Sequence, residues 1–271
     1  MIYIVLFILL YLYMIFPATG RKEKIIPYEK RFLAHRGLFN NIDIPENSLP
    51  AFRKAVKQGY GIELDVQLTT DDKLVVFHDA SLKRMTGIDK QLIECSFDEL
   101  QNYHLGETEE KIPLFEDVLA QLKPDTPLVI EIKAEGRYIE TTKRVVEMMK
   151  GYKGLYNIES FNPMVVKYLR FNEPQIIRGQ LAYDYVADKN SPLPLPVKFA
   201  LTNLLMNFLT RPDYIAYDCV AYKNLSFRIV SKIFKGECIA WTVKSNEQYK
   251  KIKPYYQCFI FDSYIPDNND L

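Results

Sequence analysis

Hydrophobic and polar positions change rhythm repeatedly along this chain. Short runs of alternating or continuous β-branched and aromatic residues give way to stretches in which apolar residues recur every three or four positions. The strand-like runs are RFLAHRG (31–37), GIELDVQLT (61–69), KLVVFHD (73–79), PLVIEIK (127–133), LYNIESF (155–161), QIIRGQLA (175–182), DYIAYD (213–218), ECIAWTV (237–243) and CFIFDS (258–263). Helical stretches separate most of them, over 47–59, 114–123, 138–151, 162–172, 223–236 and 246–253. Asn47 and Ser48 are N-cap types, and Gly59, Gly151 and Gly236 fall where helices should end. Strand–helix alternation repeated about eight times predicts a TIM (β/α)8 barrel, with an open doubly wound sheet as the alternative. One doublet breaks the rhythm. GIELDVQLT and KLVVFHD are joined by TDD, too short for a parallel crossover, so KLVVFHD reads as a hairpin partner or an extension. Residues 80–112 then form a small irregular insertion after the second strand, and NSPLPLP (190–196) must be a loop.

The first twenty residues, MIYIVLFILLYLYMIFPATG, carry no charge. As one helix they would extend about 30 Å, close to the thickness of a bilayer core. No basic segment precedes them, as a signal peptide would require, whereas Arg21, Lys22, Lys24, Lys30 and Arg31 follow. The pattern predicts a transmembrane helix over 1–20, a basic linker over 21–30 and a barrel over 31–271. The basic flank implies a single-pass protein of the cell membrane with its barrel on the cytoplasmic side.

Composition adds exclusions. The chain of 271 residues is 48% hydrophobic and 25% charged, which supports a globular core. Formal charge is +1, so nucleic acid is not an expected partner. The four cysteines, Cys95, Cys219, Cys238 and Cys258, show no zinc or disulfide spacing and read as buried thiols.

The strands carry an unusual polar load. Period-two alternation puts Glu63 and Asp65 on one side of their strand, and does the same for Glu131 and Lys133. Like charges on a half-buried surface need something positive between them. A carboxylate cluster of Glu63, Asp65 and Glu131 without a cysteine partner suits one hard divalent cation, Mg²⁺ or Ca²⁺. Arg36 and Lys133 beside it suit a phosphate group. Of three histidines, His35 and His78 lie at strand ends, where barrel active sites are built, while His104 falls in the insertion and reads as a surface residue. Imidazole is matched to proton transfer near neutral pH. Metal, phosphate and two histidines together describe phosphoester cleavage.

AHRG, PENSLPAF, GIELDVQLT, VVFHD, IEIK and WTV, in this order between about Phe32 and Asp262, resemble the glycerophosphodiester phosphodiesterase family. The resemblance implies hydrolysis of a glycerophosphodiester to glycerol 3-phosphate and an alcohol with a divalent metal. It implies His35 and His78 as the catalytic pair, Glu63, Asp65 and Glu131 as metal ligands, and Arg36 and Lys133 as phosphate ligands. Glu46 matches a motif glutamate near the metal, Trp241 an aromatic on the glycerol side, and Phe161, after Ser160, a pocket wall. The C-terminal strand departs from the pattern: Phe261 stands where a threonine is expected and Pro266 comes late, which leaves the role of Asp262 open. The apolar segment 197–210 allows a lysophospholipid as alternative substrate, and a non-catalytic barrel that binds phosphorylated headgroups is the remaining alternative.

Overall fold

The computed structural model describes residues 2–29 and 31–266. In chain order its elements are α1 (Ile2–Ile15), β1 (Phe32–His35), α2 (Leu49–Lys57), β2 (Gly61–Leu68), β3 (Leu74–Val76), α3 (Lys83–Thr86), α4 (Phe97–Leu100), α5 (Phe115–Leu119), β4 (Leu128–Ile132), α6 (Tyr138–Met149), β5 (Tyr156–Ser160), α7 (Pro163–Asn172), β6 (Arg178–Ala182), α8 (Leu195–Thr202), α9 (Asn207–Thr210), β7 (Tyr214–Asp218), α10 (Leu225–Arg228), β8 (Glu237–Val243), α11 (Asn246–Ile252) and β9 (Cys258–Phe261). The strands hydrogen-bond in the order β1-β9-β8-β7-β6-β5-β4-β2-β3, and β1 also pairs with β2. That closure makes the eight-stranded parallel barrel and removes the doubly wound alternative. β3 is the hairpin partner outside the ring, antiparallel to β2 with Val66 opposite Val76.

Contacts divide the chain into two compact units whose borders fall inside β5 and β9. The first holds residues 31–158 and 260–266. Its β2 is buried on both sides: Ile62, Leu64, Val66 and Leu68 form the apolar row, and Glu63, Asp65 and Gln67 the opposite one. Ser48 caps α2 by accepting the Ala51 N–H, and Gly59 takes the left-handed conformation just past its end. Asn47, the other N-cap candidate, sits instead at φ +55° and turns its side chain elsewhere. Residues 80–112 carry α3 and α4 over a separate apolar cluster that includes Leu82, Met85, Leu92, Leu100, Leu105 and Ile112.

The second unit holds residues 2–29 and 159–259. Here β6, β7 and β8 pair in parallel, with Gly179 level with Tyr214 and Tyr214 level with Glu237. The apolar segment 197–210 lies in two helices, α8 and α9, separated where Leu204 takes φ +56°. The stretch 223–236 starts as α10 and continues as a π-helical turn over Ile229–Ile233. The left-handed residue that follows is Lys235 rather than Gly236.

The N-terminal segment corrects the sequence reading. α1 has 14 residues and so spans about 21 Å. No described helix is long and apolar enough to cross a membrane. The hydropathy run is longer than the helix because its last part serves protein packing. Ile15 is fully buried, Asn207 donates to the Ile15 carbonyl at 2.9 Å, and Arg211 donates to the Tyr13 and Phe16 carbonyls. Beyond Pro17, Ala18 N–H donates to the Pro212 carbonyl at 2.9 Å. The expected transmembrane helix over 1–20, the single-pass cell-membrane location and the membrane partner through that helix therefore fail together. All four cysteines are buried, and none is joined in a disulfide among the described residues.

Candidate active site

Strand register assembles the polar row of the first unit. β1 and β2 pair with His35 level with Glu63, and β2 and β4 pair with Asp65 level with Glu131. Neighbouring strands lie about 4.8 Å apart, so level side chains on one face must meet. Glu63, Asp65 and Glu131 each offer a carboxylate oxygen within 4.8 Å of the others, and all three are buried. Lys133 follows the end of β4 with its ammonium 2.9 Å from Glu131 and 3.4 Å from Asp65. Arg36, with φ +55° just after β1, places Nε 3.5 Å from Asp65 and gives its backbone N–H to Glu63 at 3.1 Å.

The charges do not balance by hydrogen bonding alone. Asp65 Oδ1 and Glu131 Oε1 are buried and lack a well-directed hydrogen-bond donor despite the nearby ammonium. Burial alone would raise the Asp65 carboxyl; Lys133, with His78 and Arg36, overcomes that and holds it far below its ordinary value. Glu131 goes the other way: burial, joined by the Asp65 charge, pushes it up despite Lys133. A buried acid that resists ionising beside an ionised one is a site short of positive charge. Three hard oxygen donors within 4.8 Å of one another, two of them without a well-directed hydrogen-bond donor, fit a divalent ion of the Mg²⁺ or Ca²⁺ kind.

Both strand-end histidines are oriented by a carboxylate on Nδ1. His35 donates to Asp262 Oδ2 at 2.9 Å, leaving Nε2 toward the acids, 4.0 Å from Glu63. Burial lowers the His35 pKa, against the raising effect of Asp262. His78 donates from Nδ1 to Asp79 Oδ1 at 2.6 Å. Gln67, the third polar residue of the β2 row, fixes that segment by donating to the Phe77 and Asp79 carbonyls, each at 2.8 Å.

Several partners escaped the sequence reading. Asp79 was visible only as the acid next to a histidine. Asn47 donates its amide to Asp65 Oδ2 at 2.8 Å, and its own N–H to the Arg36 carbonyl at 2.9 Å. Nothing in local pattern separates that role from capping. Glu46 is a buried acceptor for two arginines, Arg36 Nη1 at 2.7 Å and Arg84. Asp262, whose role the motif left open, holds His35. His104 is exposed in the insertion and meets the Thr108 carbonyl. Phe161 and Trp241 belong to the second unit. Their rings meet edge to face at 5.2 Å, Tyr183 packs against both, and Trp241 Nε1 donates to the Ala216 carbonyl.

Comparison with known proteins gives a consistent result. The family model described as the glycerophosphoryl diester phosphodiesterase family matches residues 35–264. A curated relative, glycerophosphodiester phosphodiesterase 1 of Bos taurus, is 26% identical over 301 residues, covering 97% of this chain and 86% of its own. Lysophospholipase D GDPD1 of Rattus norvegicus is 33% identical over 152 residues, covering 51% of this chain and 46% of its own. Among solved structures, a glycerophosphodiester phosphodiesterase of Thermotoga maritima superposes with a TM-score of 0.67 at 25% identity, covering 86% of this chain and 94% of that one. An Oleispira antarctica phosphodiesterase in complex with the product sn-glycerol-3-phosphate shares the fold at TM-score 0.69 and 23% identity, covering 88% and 95%.

Proposed function

Because this chain belongs to the glycerophosphoryl diester phosphodiesterase family, we propose that it hydrolyses a glycerophosphodiester to glycerol 3-phosphate and an alcohol, with one divalent cation and two histidines. The observation that carries this reading is the buried triad of Glu63, Asp65 and Glu131, in which one oxygen each of Asp65 and Glu131 lacks a well-directed donor, in the same unit as two imidazoles each braced by a carboxylate. Those three acids would hold the cation, which supplies Lewis-acid stabilisation of phosphoryl charge when bound. Mg²⁺ and Ca²⁺ both suit the donor set.

The remaining work falls to the chain's own groups. Arg36 presents a planar fork and Lys133 a point charge with three donors, a pairing suited to phosphate oxygens. One imidazole Nε2 takes the proton of the oxygen that bonds to phosphorus: either water, which gives glycerol 3-phosphate directly, or the neighbouring glycerol hydroxyl, which gives a cyclic phosphate that water then opens. The bond between phosphorus and the alcohol oxygen breaks, and the other imidazole protonates that oxygen. Bracing on Nδ1 leaves each Nε2 for this exchange, which is the reason a carboxylate behind the ring matters. Trp241 and Phe161 are kept as substrate contacts on the strength of the sequence motif.

A second reading, lysophospholipase D-type cleavage on the same site, is favoured by Leu195, Val197 and Phe199, all exposed on α8. The test is a diester panel (glycerophosphocholine, glycerophosphoethanolamine and a long-chain lysophosphatidylcholine) assayed with Mg²⁺, Ca²⁺ and a chelator. We expect turnover with metal only, and a loss of about 10²-fold or more for His35→Ala and for His78→Ala. Undiminished turnover in both variants sinks the histidine assignment, and inert metal-loaded protein across the panel restores the headgroup-binding alternative. Preference for the lysophospholipid selects the second reading.

A further inference from the structure

Arg84 belongs to the insertion, outside the acid triad and outside the motifs that carry the family resemblance. Its backbone is fixed from both sides: Leu82 and Met85 are buried in the insertion's own apolar cluster. The side chain crosses to two carboxylates and makes four charged hydrogen bonds. Nε meets Asp79 Oδ2 at 2.6 Å and Nη2 meets Asp79 Oδ1 at 3.1 Å. Nη1 meets Glu46 Oε2 at 3.0 Å and Nη2 meets Glu46 Oε1 at 2.7 Å. Asp79 Oδ1 is also the acceptor of His78 Nδ1, and Glu46 Oε1 also the acceptor of Arg36 Nη1.

We propose that Arg84 is a positioning residue for His78, and that it does so by clamping Asp79 in one orientation. The inference rests on the phosphodiesterase reading for the reaction, though not for the geometry. A lone aspartate next to its histidine in sequence can rotate and offer either oxygen, so it defines the ring poorly. Bidentate pairing with a planar guanidinium removes that freedom, because both oxygens are then fixed in the plane of the fork. His78 Nδ1–H has one acceptor direction, and Nε2 is held in one place. Through Glu46 the same guanidinium is rigidly linked to Arg36. The phosphate-binding arginine and the proton-transfer histidine therefore share one frame, closed by a side chain from residues 80–112. This gives the insertion a role in the chemistry, through an arginine 5 residues from Asp79 but 38 from Glu46. A tie that only pinned the insertion in place would need no bidentate contact to the very carboxylate that braces an imidazole.

The test compares wild type, Arg84→Lys, Arg84→Ala and His78→Ala on glycerophosphocholine with saturating Mg²⁺. Its second arm reads the His78 ring by two-bond ¹H–¹⁵N spectra of ¹⁵N-histidine-labelled protein. For Arg84→Ala we expect kcat to fall about 30-fold or more with KM within about threefold, the signature of lost transition-state alignment. Arg84→Lys, which cannot bridge both acids, should lose about tenfold. Guanidinium chloride at about 20 mM should return at least about a fifth of the lost kcat to Arg84→Ala and nothing to His78→Ala. In the spectra, the single Nδ1–H tautomer of His78 should become a mixture in both Arg84 variants. Folded variants with kcat within twofold of wild type, or a loss that guanidinium does not restore, overturn the proposal. Should Arg84→Ala fail to fold, Arg84→Lys carries both arms. Wild type inert on every diester defeats the phosphodiesterase reading instead, and an unchanged His78 tautomer in the variants then still decides against Arg84.

Discussion

Gly37 offers a sharp test of how the strand-end residues are held. It follows Arg36 directly, has φ +80°, and lies against helix α2. A Cβ built there would stand 2.8 Å from Ala51 Cβ, 2.9 Å from the Ala51 carbonyl carbon and 3.1 Å from its oxygen. Two of those neighbours are backbone atoms, so no rotamer change relieves the clash. The Ala51 carbonyl also accepts the Leu38 N–H at 3.0 Å, which ties the turn to the helix. Gly59, at the other end of α2, has nearly the same φ of +79° but nothing within 4 Å of its Cβ position. Both alanine variants pay for a left-handed conformation, about 1–2 kcal/mol. Only Gly37→Ala adds overpacking, about 1–3 kcal/mol, for a total of about 2–5 kcal/mol. The displaced start of α2 should also strain the neighbouring Asn47 N–H to Arg36 carbonyl bond, and with it the Asn47 contact to Asp65. Urea unfolding followed by far-UV circular dichroism gives the two stability losses, and turnover of glycerophosphocholine gives the functional one. Equal losses for the two variants would refute the argument that space, rather than φ, makes Gly37 irreplaceable.

Two further expectations follow from the charges. The acid triad should bind a dication in the folded chain alone, so Mg²⁺ or Ca²⁺ at about 100 times its Kd should add about 2.7 kcal/mol of stability. Thermal unfolding with and without metal measures this, and Asp65→Asn or Glu131→Gln should abolish the increment; an equal metal shift in those variants would place the ion elsewhere. Glu46 should contribute an acid-sensitive share of stability: burial would raise its pKa, but the Arg84 hydrogen bonds and the charges of Arg36 and Arg84 hold it at about 2, below the ordinary 4.5. The unfolded chain therefore binds the extra proton, and the contribution is complete above about pH 4.5 and disappears as pH falls toward about 2. Since Arg84 is nearly half exposed, screening reduces it to about 1–2 kcal/mol. Urea unfolding of wild type and Glu46→Gln at pH 7 and at pH 3 should show the gap between them narrowing, and a gap independent of pH would contradict this account.

Local periodicity determined much of this protein. Alternation along GIELDVQLT places Glu63 and Asp65 on one side because successive side chains of any strand point oppositely, wherever the strand lies. The strand–helix rhythm marked out β1 to β9, and the three-residue link before KLVVFHD forced an antiparallel partner. Register was not legible, because hydrogen bonds between distant segments set it: only the folded sheet brings Glu131 level with Asp65 and His35 level with Glu63. The bracing groups are of the same kind. Asp262 reaches His35 from 227 residues away, and Arg84 reaches Glu46 from 38, with no short-range signal to announce either. Asn47 resembled a helix cap until its left-handed backbone turned the amide to Asp65. Hydropathy misled at the N-terminus for a related reason. An apolar run reports the wish to leave water but not what replaces the water, and here the end of the run is buried against Asn207 and Arg211. What the chain wants at short range is written in its order of residues; which groups finally meet is a property of the closed fold.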